Sequence, residues 1–113
     1  MVLYTELSVY RDTYQLILKV FEYTKDSPKE YKYTLGQDMK RDALHQLRCI
    51  YRANKHKNRA ELLDVFLDEF ELLKLEIRLS TDMKLFSTKK QAVLSALMDS
   101  IGKQVTGWRN ASR

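Results

Sequence analysis

Two groups of residues in this sequence have side chains and spacings that could do chemistry. The smaller is His45 with Cys49, four positions apart and therefore one turn from each other if the segment is helical. An imidazole beside a thiol is the start of a nucleophilic pair. It needs a third group to orient the base and a place for an oxyanion, and the neighbouring sequence offers neither. The other histidine, His56, makes no H-x-x-x-H or H-E-x-x-H spacing, so no metal site is expected. Gly36 in "TLGQ" is a lone glycine at a helix start, because neither G-x-x-x-x-G-K nor G-x-G-x-x-G occurs. It is expected to let two backbones approach closely, and Gly102 and Gly107 are expected to do the same or to let the tail fray. The acids further on lack the Glu-x-x-His of a di-iron bundle. No enzyme, cofactor or metal is expected, and His45 reads as a surface residue or a phosphate contact.

The larger group is basic. Residues 40–59 hold seven Lys or Arg (Lys40, Arg41, Arg48, Arg52, Lys55, Lys57, Arg59) against the single acid Asp42, a local net of +6. The other residues hold 13 basic and 14 acidic, a net of −1, so the whole excess of +5 lies in this window. Cations at this density neutralise phosphates by contact, with an affinity that falls as salt rises and little sequence preference. Tyr31, Tyr33 and Tyr51 lie nearby and could stack on unpaired bases, although Tyr33 reads more simply as a ring packed at a helix end.

The elements that must carry these residues are helices. Three Gly and one Pro leave few breaks in 113 residues, which read as one domain. Apolar residues recur at helical spacing over about 5–24, 34–54, 59–80 and 87–108. The interior rows predicted are Leu3, Leu7, Tyr10, Tyr14, Ile17 and Phe21; Leu35, Met39, Ala43, Leu47 and Ile50; Leu62, Phe66, Phe70, Leu73 and Ile77; and Leu94, Leu97, Ile101, Val105 and Trp108. Thr34, Asn58 and the "STKKQ" segment supply N-caps, and "KDSPKEYKY" is a connection. Four amphipathic helices with short links make an all-α, up-down antiparallel four-helix bundle. The lone cysteine gives no disulfide framework, no signal peptide is read at the start, and the longest charge-free run, Gln91 to Met98, is too short to span a membrane. A cytoplasmic protein is expected.

A helix advances by about 100° per residue, so with Leu35 at zero its interior row spans roughly 0–120°, while Arg48, Arg41 and Arg52 fall near 220–260° and Lys55 near 200°. The basic side chains thus oppose the interior. Solvated faces usually mix signs, whereas Arg48 and Arg52 are a like-charged i,i+4 pair. An acidic protein surface, or the acids of the third helix, could still take up the stripe. Leu44 and Tyr51 on this helix, with Leu63, Val65 and Leu67 on the next, exceed what one interior row needs and are candidates for a subunit interface.

The stretches "SPKEYKYTLGQDMKRDAL" and "LLDVFLDEFELLKLEIRLSTDMKLFSTKKQAVLSALMDSIGKQVTGW" resemble the accessory variability determinant (Avd) family of diversity-generating retroelements. Wider relatives are the four-helix bundles encoded in intervening sequences of 23S ribosomal RNA genes. The resemblance runs from about Tyr4 to Trp108 and rests on order and spacing, with the "YTLGQ" and "GKQVTGW" segments favouring Avd. It implies a pentameric barrel of four-helix bundles from a prokaryote or phage. It also implies a non-catalytic accessory that binds template RNA or other nucleic acid and the element's reverse transcriptase during mutagenic retrohoming. The basic residues above would carry that binding. The alternative is an interaction bundle of the intervening-sequence type whose basic face meets an acidic protein.

Overall fold

A computed structural model of the chain describes Leu3 and residues 6–113. Its elements are α1 (Ser8–Thr24), α2 (Lys29–Lys32), α3 (Leu35–Lys55), α4 (Arg59–Asp82) and α5 (Thr88–Ala111), and the described residues contain no strand. The expected start of the first helix at Thr5 lies outside the described residues, as does Tyr4.

Each long helix packs on two neighbours, α1 on α3 and α5, and α4 on α3 and α5. That closes a four-helix bundle measuring 43 × 22 × 22 Å. The long dimension suits helices of about 24 residues, each roughly 36 Å long. Leu16, Val20, Met39, Ile50, Leu63, Phe66, Phe70, Leu73, Leu94 and Ile101 fill the centre. Phe66 stacks on Phe70 at 5.3 Å, and Tyr23 meets the edge of Phe86 at 6.0 Å near one end.

The interior rows of α3, α4 and α5 follow the sequence pattern closely, whereas α1 is turned. Its buried row is Val9, Thr13, Leu16, Ile17, Val20 and Tyr23. Of the predicted row only Ile17 is buried; Leu7 and Tyr10 lean on the core from its margin, and Leu3, Tyr14 and Phe21 are exposed. Both rows are apolar enough to be buried. The one containing Thr13 and two valines is slimmer, and it lets α1 approach α3 and α5 more closely than a row of Tyr and Phe rings would.

The links also differ from expectation. The segment read as a connection contains the single turn α2, started by Pro28, whose carbonyl accepts from Tyr31 N and Lys32 N, both at 2.9 Å. Proline fits there because the first helical N–H groups need no intrahelical acceptor. Thr34 and Asn58 precede α3 and α4 but make no side-chain cap. Thr34 instead donates its hydroxyl to Glu30 O at 2.8 Å, tying α2 to the start of α3. Ser87 does cap α5, accepting from Lys90 N at 3.1 Å. Helix α4 ends with Leu85 N donating to Ser80 O at 2.8 Å and with Lys84 at φ 64°, a left-handed C-terminal closure. A Cβ on Gly36 would lie 3.2 Å from Tyr31 O, so the close approach of α2 favours glycine there. Gly102 and Gly107 are different: a Cβ would lie 3.8 Å from Phe70 at the first and touch nothing within 4 Å at the second.

Candidate nucleic-acid interface

Helix α3 is amphipathic along its whole length, with Met39, Ala43, Gln46, Ile50 and Ala53 inward. That orientation forces Arg41, Arg48, Arg52 and Lys55 outward, and all four are exposed. Among the described residues Arg48, Arg52 and Lys57 make no ion pair. Arg41 is engaged within its own helix, with Nη2 3.0 Å from Asp38 Oδ1 and Nε 4.0 Å from Asp42 Oδ1. The Asp38 pair is exposed and the Asp42 pair is at the limit of contact, so both are worth little and a phosphate can displace them.

The remaining cations are held in different ways. Lys55 Nζ donates to Tyr51 Oη at 3.1 Å and lies 4.5 Å from the ring centroid. Arg59 donates Nη2 to Asn54 O at 3.1 Å and Nε to His56 O at 3.2 Å. Those bonds satisfy carbonyls at the C-terminus of α3 and leave Arg59 half-buried. With Lys55, His56, Lys57, Ala111 and Ser112 it lines an open cleft of about 320 Å³ at this end of the bundle. Lys40 departs from the group. It is half-buried at the margin of α3, its ammonium 5.6 Å from the Phe21 ring of α1.

The stripe is therefore densest over the last turns of α3 and the turn into α4. The C-terminal end of a helix carries partial negative charge, which favours cations there and helps hold them in place. Of the three tyrosines, only Tyr51 lies beside the stripe. Tyr31 and Tyr33 precede α3 and stand roughly 20–30 Å from Arg48 and Arg52 along the helix axis. Tyr33 is well exposed, with Lys32 over its ring at 6.0 Å, and is not packed as expected.

The apolar candidates for an interface divide. Leu44 and Tyr51 are exposed and Leu67 is half-buried against the core. Leu63 is 0% exposed and belongs to the interior of a single chain, so it offers no surface to a neighbour. The adjacent Leu62, expected inside, takes the marginal position instead. Val65 is exposed as expected, and with it on α4 the structure exposes three leucines not read from the sequence, Leu72, Leu75 and Leu79, Leu75 by 59%. They lie within about 80° of one another around the helix. Their signal was present in "KLEIRL", where Leu75 and Leu79 exceed the interior row.

His45 and Cys49 do have a third partner, Glu69 of α4. His45 Nε2 lies 2.8 Å from Glu69 Oε2, and Cys49 Sγ lies 3.9 Å from the same oxygen. Nothing near His45 in the sequence pointed to it, since Glu69 is 20 residues beyond Cys49 on another helix. The carboxylate stands between base and thiol. Burial, with Glu69 adding, pushes the Cys49 thiol up to about 11, against the lowering effect of Arg52 and Arg48. An activated nucleophile needs the opposite shift.

Further along the same seam Glu76 is buried. Its carboxyl is raised to about 8, first by burial and then by a hydrogen bond to Asp42 and the charges of Asp42 and Asp38, with Arg41 opposing.

No helix among the described residues is long and apolar enough to cross a membrane. No curated protein matches this sequence. A family model described as bAvd-like matches residues 7–112, which takes in all four long helices and the basic stripe, and the chain belongs to that bAvd-like family.

Proposed function

We propose that this bundle is a non-catalytic accessory protein of a diversity-generating retroelement, binding the element's RNA and its reverse transcriptase to support mutagenic cDNA synthesis. The observation that carries the reading is the exposed trio Arg48, Arg52 and Lys57, which no carboxylate neutralises among the described residues. Each such cation that meets a phosphate releases counterions from the nucleic acid. Lys55 and the Arg59 end of the stripe extend the footprint onto the turn.

A few contacts from one chain bind weakly, so the reading includes assembly. The α4 ridge of Val65, Leu72, Leu75 and Leu79, with Leu44 and Tyr51 on α3, provides the apolar surface for a homo-oligomer, the pentamer implied by the family. Repeating the stripe in each subunit converts weak contacts into avidity. The same ridge is the specific observation favouring a second reading, in which the bundle is an interaction protein and an acidic protein occupies the stripe.

Charge reversal separates the two. The Arg48→Glu/Arg52→Glu variant is expected to lose structured-RNA binding by at least about thirtyfold, at about 1–3 kcal/mol per reversed contact. Its circular dichroism and sedimentation should match wild type. RNA affinity that survives the reversal contradicts the proposed surface.

A further inference from the structure

Where α3 meets α4, three side chains with different donor atoms converge. His45 and Cys49 stand one turn apart on α3, and Glu69 reaches across from α4 so that its Oε2 lies 2.8 Å from His45 Nε2 and 3.9 Å from Cys49 Sγ. One nitrogen, one sulfur and one oxygen thus lie within 4.8 Å of one another. We propose that His45, Cys49 and Glu69 form a binding site for a divalent transition-metal ion, zinc fitting best, with a fourth coordination position open to the adjoining cleft.

The donor set decides the class of ion. Magnesium and calcium take oxygen ligands, whereas imidazole and thiolate together suit zinc and its softer neighbours. Around a tetrahedral zinc with bonds of about 2.0–2.3 Å, donors sit roughly 3.3–3.7 Å apart, inside the range of separations found here. Small side-chain rotations bring all three to bonding distance, because two ligands are already fixed by the helical i,i+4 spacing. On binding, the Cys49 thiol proton passes to solvent as the sulfur–metal bond forms.

A second observation comes from Gln46. It is 0% exposed, and among the described residues neither its Oε1 nor its Nε2 has a hydrogen-bond partner. It lines a cleft of about 300 Å³ together with His45, Glu69, Arg41, Asp42 and Leu72. An uncompensated buried amide is costly, on the order of 1–3 kcal/mol. A water at the open metal position would donate to Gln46 Oε1 and relieve it. With ligands from two helices, the ion would pin α3 to α4 beside the basic stripe, whose Arg41 lines the same cleft. The site stands independently of nucleic-acid binding.

The test uses the whole chain, stripped of metal with a chelator and titrated with Zn²⁺ alone by calorimetry and with Co²⁺ by absorption. One ion per chain is expected, with micromolar or tighter affinity and a higher melting temperature with zinc. Cobalt should show a thiolate charge-transfer band and the intense visible bands of a four-coordinate ion. Cys49 is buried, so the decision rests on His45→Gln and Glu69→Gln at partly exposed positions. Both should keep the helical spectrum and weaken zinc binding by about tenfold or more. His56→Gln, at the other histidine, should leave affinity unchanged. The assignment is overturned by wild-type chain that shows no saturable zinc binding below millimolar. It is equally overturned by zinc affinity retained in both His45→Gln and Glu69→Gln.

Discussion

Glu76 is a carboxylic acid buried between α3 and α4 with Asp42 and Asp38 nearby, and its raised pKa has a consequence for stability. The folded chain holds a proton on Glu76 up to about pH 8, while an unfolded chain releases it near 4.5. Between those values the native state binds more protons than the unfolded state, so stability is full below pH 4.5 and declines as pH rises towards 8. Glu76→Gln supplies a permanent neutral donor to Asp42. It is expected to flatten that decline and to raise stability at pH 8 by on the order of 2 kcal/mol, read from urea unfolding across the pH range. An unchanged pH profile would show that burial does not hold the proton there. Residue-scale features of this kind were the least legible in the sequence. Glu76 was not singled out between Leu75 and Ile77, and Glu69 lies far along the chain from His45. Both acquire their roles only when α3 and α4 are packed together.

At the scale of elements, the scarcity of Gly and Pro and the 3.6-residue period made the four long helices readable, and with α3 oriented by Met39, Ala43 and Ile50 the outward course of Arg48 and Arg52 followed. Two things were hidden. The rotation of α1 depended on which of two apolar rows packs more closely, which composition does not decide, and α2 is a single turn too short to show periodicity. The glycines divide by the space around them. Gly107→Ala on exposed α5 is expected to stabilise by about 0.5–1 kcal/mol, since Ala restricts the unfolded chain and meets no neighbour. Gly36→Ala should lose that gain and destabilise by about 1 kcal/mol, because the added methyl presses on the Tyr31 carbonyl, which is backbone and cannot swing aside. Thermal melts of the two variants check the contrast; equal effects would mean that α2 yields easily.

For the whole molecule, the bundle presents two surfaces with different demands. The basic stripe is already solvated and needs only a polyanion, whereas Leu72, Leu75 and Leu79 expose apolar area that water disfavours. Assembly through α4 would cover the second and multiply the first. Leu72→Glu/Leu79→Glu is therefore expected to convert an oligomer into monomers by sedimentation, with the helical spectrum kept, since both side chains are exposed in the single chain. RNA affinity should fall with the loss of avidity even though every basic residue remains. The same assembly in variant and wild type would move the interface elsewhere. The most direct test of the central claim counts phosphates. RNA affinity is measured across a salt series for wild type and for the neutral triple variant Arg48→Ala/Arg52→Ala/Lys57→Ala, with oligomeric state checked in each. If those three side chains contact phosphates, the slope of log affinity against log salt becomes shallower by about 0.7–0.9 per contact, roughly two to three units in all for one engaged subunit. An unchanged slope would contradict the account.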